Sequence, residues 1–250
     1  MVEKLAVAHH ESGGLTVNRE DLSKVPTPAP EKRWYPIPHA TLVDEVVKTL
    51  GNDGYRVVEE NHLLARGNAR YFGLLRIEGR DDKGGDFGLM VGLRNSHDRS
   101  IVAALAVGSK VFVCSNLAFS SEIIIARKHT RFIGRDLPGL VDRAIGRLGD
   151  ARKNQAVRID AYKRTELTDP QVHDMLIRAL DARILPVTRI PDVLKEWRAP
   201  RHPEFAAAGK TAWRLMNGVT ETLKDSNLFN RPAATQALHG ILDAACKVVS

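Results

Sequence analysis

With 250 residues, 43% of them apolar, the chain can bury a real core, and its composition excludes global disorder. A formal charge of +7 favours polyanion partners, because neutralising phosphates releases counterions. Two cysteines, Cys114 and Cys246, lie too far apart for a metal-spaced pair and fit a reducing cytoplasm. The start of the chain has no secretory h-region, and no window approaches the ~18 apolar residues of a membrane span.

Residues 1–36 lack sustained periodicity. Gly13-Gly14 and Pro26, Pro28 and Pro30 mark an extended N-terminal arm, ending at Trp34-Tyr35-Pro36, whose large apolar groups anchor it to the body or to a neighbour. From His39 to Leu50, Leu42, Val43, Val46, Val47 and Leu50 fall at helical spacing, and Gly51 ends the helix. Strand signals follow over Tyr55–Ala65 and Ala69–Glu78, with Arg66-Gly67-Asn68 turning between them, and over Asp86–Leu93. Asn95 to Arg99 reads as a turn. Ile101–Val107 and Lys110–Cys114 make two more strands, and Ser121–Ala126 is either a sixth strand or a helical turn.

Strands this close in sequence pair antiparallel, as a meander. Beyond Asp136 the pattern becomes helical. Leu137, Leu140, Val141, Ile145 and Leu148 open one long helix to about Lys163. Asp169 caps a second with Pro170 at its first position, Ile190–Trp197 and Glu204–Leu223 are two more, and Pro232 opens a last one. The expected fold is α+β: an N-terminal helix, an antiparallel meander of five or six strands, and a helical C-terminal half. The expected divisions are an arm over 1–36, an α+β core over 37–135, and helices over 136–250 packed on that core.

Charge is concentrated. Residues 123–165 hold eleven Lys or Arg against four Asp, a surplus of seven that equals the net charge of the whole chain. Arg143 and Arg147, four apart, share a helical face in this reading. Arg94 and Arg99 flank a turn, and Arg127-Lys128-His129-Thr130-Arg131 follows the strands. Aromatics interleave nearby, and Tyr71 is the one whose hydroxyl tolerates water. A cationic groove with stacking platforms is the chemistry of single-strand nucleic-acid binding.

Catalytic signals are weaker. Cys114-Ser115-Asn116 at a strand end, with His97 or His129 as base, would form a nucleophilic site only if they converge. Histidine spacing supports no metal site, and no phosphate-loop or dinucleotide fingerprint is present, so no cofactor is expected.

The segments Arg94 to Ser100, Val111 to Asn116, Arg127 to Thr130, and Ala212 to Glu221 resemble the phage- and plasmid-borne DUF932 family. The marks are Cys-x-Asn after a strand, Lys-His-Thr, and Asn-x-Val-Thr in a late helix. The resemblance implies a mobile-DNA setting in a bacterial host and supplies no catalytic residues. The element order also resembles Rad52-like single-strand annealing proteins, an analogy of architecture alone. The expectation is therefore a non-enzymatic, homo-oligomeric, cytoplasmic protein of phage or plasmid recombination or replication that binds single-stranded DNA, or RNA. Arg94, Arg99, Arg127, Lys128, Arg131, Arg143 and Arg147 would hold phosphates and Tyr71 would stack a base. The alternatives are an enzyme built on Cys114, Asn116 and the two histidines, or a protein-binding factor using Trp34-Tyr35 and the Trp213 helix.

Overall fold

The computed structural model describes residues 14–79, 87–111, 117–223 and 231–248. The chain divides into two compact units. One holds Met1–Gly108 and Glu122–Gly149, the other Ser109–Ser121 and Asp150–Ser250. The architecture is α+β, with one antiparallel sheet followed by a helical C-terminal half.

Six strands lie in sequence order: β1 (Leu15–Val17), β2 (Tyr55–Ala65), β3 (Arg70–Gly79), β4 (Phe87–Ser96), β5 (Ala103–Val111) and β6 (Leu117–Arg127). Consecutive strands with short turns pair this way because little loop entropy is lost in closing them. The β2–β3 turn falls on Arg66, Gly67 and Asn68, all three in the left-handed region. Glycine and asparagine adopt that conformation at least cost. In register, Leu63 faces Phe72, and Tyr71 lies between Leu64 on β2 and Asn95 on β4. Residues 121–126 are strand, which resolves the alternative left open by the sequence.

Two expectations for the N-terminal half are corrected. The segment before residue 36 is not simply extended: it contributes β1 and a short helix, α1 (Arg19–Ser23). Asn18 Oδ1 caps that helix by accepting from Asp21 N at 2.8 Å. Buried Leu22 anchors it, and Arg19 reaches Asp44 at 2.7 Å and Glu60 at 3.2 Å. Strand β4 continues through Asn95 and Ser96, where the sequence pointed to a turn. Both are fully buried, because their polar groups find partners inside the protein.

Helix α2 (His39–Asn52) lays Leu42, Val43, Val46 and Leu50 against β2, β4 and α3 (Ile133–Ile145). Each such side chain contributes roughly 1.5–3 kcal/mol by leaving water. The single long helix expected from Leu137 to Lys163 is two: α3, and α4 (Leu148–Arg164). Gly146 closes α3, its N–H reaching Asp142 O at 2.9 Å, and the chain turns to bury Leu148. Glycine disfavours continuing the helix by about 1 kcal/mol. Arg147 thus sits in the link and does not share a helical face with Arg143.

The second unit is built from α4, α5 (Asp169–Asp181), α6 (Ile190–Arg198), α7 (Pro203–Ala207), α8 (Ala212–Thr222) and α9 (Arg231–Cys246). Thr168, one residue before the expected cap, starts α5 through a capping box with Gln171. Asp169 is free instead to accept from Trp197 Nε1 at 2.9 Å and Lys210 Nζ at 2.8 Å. Left-handed Gly209 splits the helix expected over Glu204–Leu223 into α7 and α8. Every residue of α8 from Ala212 to Thr220 is buried, so it is a central helix and not a one-faced amphipathic one. Its Arg214 donates to the carbonyls of Trp197, Phe205 and Ala206 at 3.3, 3.0 and 2.7 Å, satisfying the C-terminal ends of α6 and α7.

Between α4 and α9, buried Arg158 donates through Nε to both oxygens of Asp243, at 3.0 and 3.1 Å. Tyr162 donates to the same carboxylate at 2.6 Å. Removing one partner of a buried pair leaves an uncompensated charge. Asp243→Ala is expected to cost about 3–5 kcal/mol in urea denaturation. A change under about 1 kcal/mol would show that the cation finds other compensation.

Candidate functional site

Asn95 is the hub of a buried polar network in the first unit. Its amide nitrogen donates to Ile37 O and to His39 Nδ1, both at 2.9 Å, and its Oδ1 accepts from His129 Nε2 at 2.7 Å. His39 Nε2 donates to Asn68 O at 3.0 Å, and His97 Nε2 to Ile37 O at 2.9 Å. The His39 and His97 rings stack with centroids 3.8 Å apart. The hydrogen bonds assign the tautomers of His39 and His129, each with its proton on Nε2, while the His97 ring faces the carbonyls of Ile37 and Pro26.

Neutrality follows from position. Burial lowers the His39 pKa to about 4, helped by repulsion from His97 and His129 and opposed by the Asn68 carbonyl. Burial also lowers His97 and His129. A cation here would be desolvated and beside a second ring, which a neutral imidazole avoids.

This network fixes two segments. The His129 carbonyl accepts from Tyr35 N at 2.9 Å, pinning the end of the N-terminal segment to the end of β6. There Glu31 and Trp34 exchange two backbone hydrogen bonds of 2.9 Å across a tight turn with Lys32 in the left-handed region, φ 51°. The β4–β5 loop is held by Ser96 Oγ donating to Ile101 O at 2.8 Å and by Arg70 Nε donating to Asp98 at 3.0 Å. At its tip Arg99 is also left-handed, φ 63°. Residues kept in this region cost energy and persist only where their surroundings impose it.

The N-terminal turn, the β4–β5 loop and the segment after β6 enclose an open cleft of about 620 Å³, lined by Glu31, Lys32, Arg33, Trp34, Arg99, Ile101, Val102, Lys128, His129 and Thr130. The Arg99 guanidinium lies 4.7 Å from the centre of the Trp34 ring and is ion-paired with Glu31. Lys32, Arg33 and Lys128 have no carboxylate partner among the described residues. Trp34 Nε1 and Thr130 Oγ1 are buried with no hydrogen-bond partner among the described residues. Four cations against one acid and a half-buried indole suit an anionic ligand with a flat ring.

Of the eight residues singled out by sequence, only Arg99 and Lys128 line this cleft. Arg127 pairs with Asp136 at 2.5 Å, and Arg135 shares that carboxylate at 2.9 Å. Arg131 stacks 4.6 Å from the ring of Phe132. Arg94 is half-buried, with Nε unpartnered among the described residues. Arg143 and Arg147 are exposed on α3 and on the link after it.

Tyr71 is a correction. It is fully buried, hydrogen-bonded to His62 Nδ1 at 3.0 Å, and presents no face to a base. Its hydroxyl lies over Gly73, where a Cβ would come within 2.0 Å of it. The surplus of residues 123–165 is also not one free track: Arg158 is bound to Asp243 and Arg164 to Asp160 at 2.6 Å, and the eleven cations divide between the two units.

Lys32 and Arg33 line the cleft without having been singled out by sequence, and Trp34 lines it where the sequence offered it as an anchor or a protein contact. The signal was present in Glu31-Lys32-Arg33-Trp34-Tyr35, a basic–aromatic run directly after the prolines. Cys114, Ser115 and Asn116 lie outside the described residues. His97 and His129, the bases that a cysteine site would need, are held in the Asn95 network. Among the described residues no three His, Cys, Asp or Glu side chains are grouped to hold a metal ion, and no helix is long and apolar enough to cross a membrane.

The fold and cleft define an α+β protein built on an antiparallel meander, with a cation-lined cleft braced by buried neutral histidines. Residues 29–241 match the model of a protein family described as a domain of unknown function, DUF932, and the chain belongs to that family. No curated protein and no solved structure matches the chain, so the likeness to annealing proteins rests on element order alone.

Asn95→Leu would strand His39 Nδ1, the His129 Nε2–H and one lone pair of Ile37 O. Each orphaned buried group costs about 1–3 kcal/mol. The variant should lose roughly 3 kcal/mol or more in urea denaturation, and a loss below about 1 kcal/mol would mean that the network is not structural.

Acid acts in the same direction. With folded pKa values below the ordinary 6.5, the unfolded chain takes up these protons first. Stability is then complete above about pH 6.5 and falls as pH drops toward 4, with His39 alone contributing on the order of 3 kcal/mol. The carboxylates held low, Asp98, Asp136 and Asp169, add their loss only below the ordinary aspartate value of 3.8. A urea midpoint unchanged between pH 7 and pH 5 would contradict the assignment of neutral buried histidines.

Proposed function

We propose that the protein binds single-stranded nucleic acid, DNA in the first instance, without catalysing a reaction on it. Lys32, Arg33, Arg99 and Lys128 hold successive phosphates, and Trp34 offers its ring to a base. One observation carries this reading: four cationic side chains line an open cleft of about 620 Å³ together with a half-buried indole, three of them with no acid partner among the described residues. Phosphates supply affinity through counterion release, and a stacked base adds about 1–3 kcal/mol whatever its identity.

The reading keeps the nucleic-acid partner expected from the charge of the chain and moves the contact from the basic helix to the cleft. In the mobile-DNA setting that the family resemblance implies, such a protein would coat or hold strands exposed in the cytoplasm during replication or recombination.

Fluorescence anisotropy of a labelled oligothymidylate across a salt series tests it. Four neutralised phosphates predict a log–log slope of roughly −2 to −3, at ~0.7 per phosphate for single strands. Lys128→Ala should weaken binding and reduce the slope by about 0.7. Bound oligonucleotide should also quench tryptophan emission, because Trp34 is partly exposed while Trp197 and Trp213 are buried. No anisotropy change in dilute buffer would overturn the proposal.

A further inference from the structure

Among the described residues Glu31 is the one acidic group lining the cleft, and it occupies the one arginine that also stacks on Trp34. We infer that the Arg99 guanidinium is the phosphate seat of the cleft, and that the Glu31 carboxylate holds that seat in the free protein as an internal competitor which a nucleic-acid phosphate displaces. The inference rests on the nucleic-acid reading of the same cleft and adds which group receives the phosphate and what must leave first.

The geometry makes the exchange feasible. A carboxylate and a phosphate both present two oxygens to a guanidinium fork, so one can replace the other without moving Arg99. The contact to be broken is weak, because both side chains are substantially exposed, Arg99 at 50% and Glu31 at 59%. The backbone of Glu31 is fixed by its paired hydrogen bonds with Trp34, so only its side chain has to swing away. Arg99 is held from the other side by its stack on Trp34, which keeps the guanidinium in place when its acid leaves. A base stacked on the indole and a phosphate on Arg99 would then belong to the same nucleotide or to adjacent ones.

An internal anion also sets selectivity. An isolated small anion competes with a tethered carboxylate at high local concentration, whereas a strand that engages Lys32, Arg33 and Lys128 at the same time gains several contacts for the loss of one. The device therefore favours a polymer over free mononucleotide or inorganic phosphate.

The test compares wild type, Glu31→Gln, Glu78→Gln, Arg99→Ala and the Glu31→Gln/Arg99→Ala pair for oligothymidylate binding by anisotropy at one low salt concentration. Glu78 is the control. It lies at the opposite end of β3 from the cleft, on Arg56 at 3.0 Å, and its change to Gln alters net charge by the same amount. Glu31→Gln should bind about fivefold more tightly than wild type, about 1 kcal/mol at ~1.4 kcal/mol per tenfold. Glu78→Gln should be nearly unchanged. Arg99→Ala should weaken binding, and in its background the Glu31 change should give no gain, since the competitor then has nothing to vacate. If Glu31→Gln gains no more than Glu78→Gln, or gains equally with Arg99 absent, the competitor is refuted while the cleft reading stands. If no variant binds, the cleft reading itself fails and takes this inference with it.

Discussion

The bond from His129 Nε2–H to Asn95 Oδ1, 2.7 Å long and fully buried, is the constraint on which the site depends. Asn95 belongs to a central strand, while His129 belongs to the irregular segment after β6. That bond ties the segment bearing Lys128 and Thr130 to the middle of the sheet, where the chain alone joins it only to the end of β6. It also supports the N-terminal turn, because Tyr35 N is bonded to the His129 carbonyl. One amide side chain, using both of its N–H groups and its oxygen, thus relays the rigidity of a sheet to two loops that have little core of their own. Asparagine suits the task because it offers donors and an acceptor at once and cannot titrate.

The same network explains why histidines brace a cationic cleft without adding to its charge. Burial keeps His39, His97 and His129 neutral, aided at His39 and His129 by repulsion from the neighbouring rings, so each can donate from one nitrogen. A lysine or arginine in their place would introduce a desolvated cation beneath Lys128 and Arg99 and repel both. The positive groups instead stand at the rim, exposed to water, where a charge costs little until a ligand arrives. Buried polar groups fix the shape and exposed charges line the cleft, and the two roles fall on different side chains.

Local order was legible in the sequence wherever one periodicity dominates. Leu42, Val43, Val46 and Leu50 announce α2, and Arg66-Gly67-Asn68 announces its turn, because short-range sterics and burial decide both. What failed to show depends on partners distant in the chain. Asn95 and Ser96 look like turn residues by type, yet the partners of Asn95 are Ile37, His39 and His129, none of them near it in sequence. Tyr71 looked suited to water, but Gly73 two residues along the same face leaves a space that its hydroxyl and ring edge fill. The helix breaks at Gly146 and Gly209 were visible as glycines and were overridden by apolar spacing that continues across them. Short α1 has too few residues for any period, and its anchors, Asp44 and Glu60, come from elsewhere in the fold.

Charge counting shows the same distinction most sharply. Residues 123–165 contain the whole net charge of the protein, and that surplus pointed to a basic helix as the contact surface. Net charge, however, does not say which cations are available. Arg127 and Arg135 converge on Asp136, Arg158 is buried on Asp243, and Arg164 pairs with Asp160, so much of the surplus is balanced locally. Lys32 and Arg33 form a basic pair too short to register in a charge count, yet they reach solvent in the same cleft as Lys128 with no acid partner among the described residues. A concave wall concentrates the field of such charges, because the low-dielectric protein behind them cannot screen it. A charged ligand would respond to that local field and not to the total, which is why the proposal rests on a few unpaired side chains around Trp34 and not on eleven along the chain.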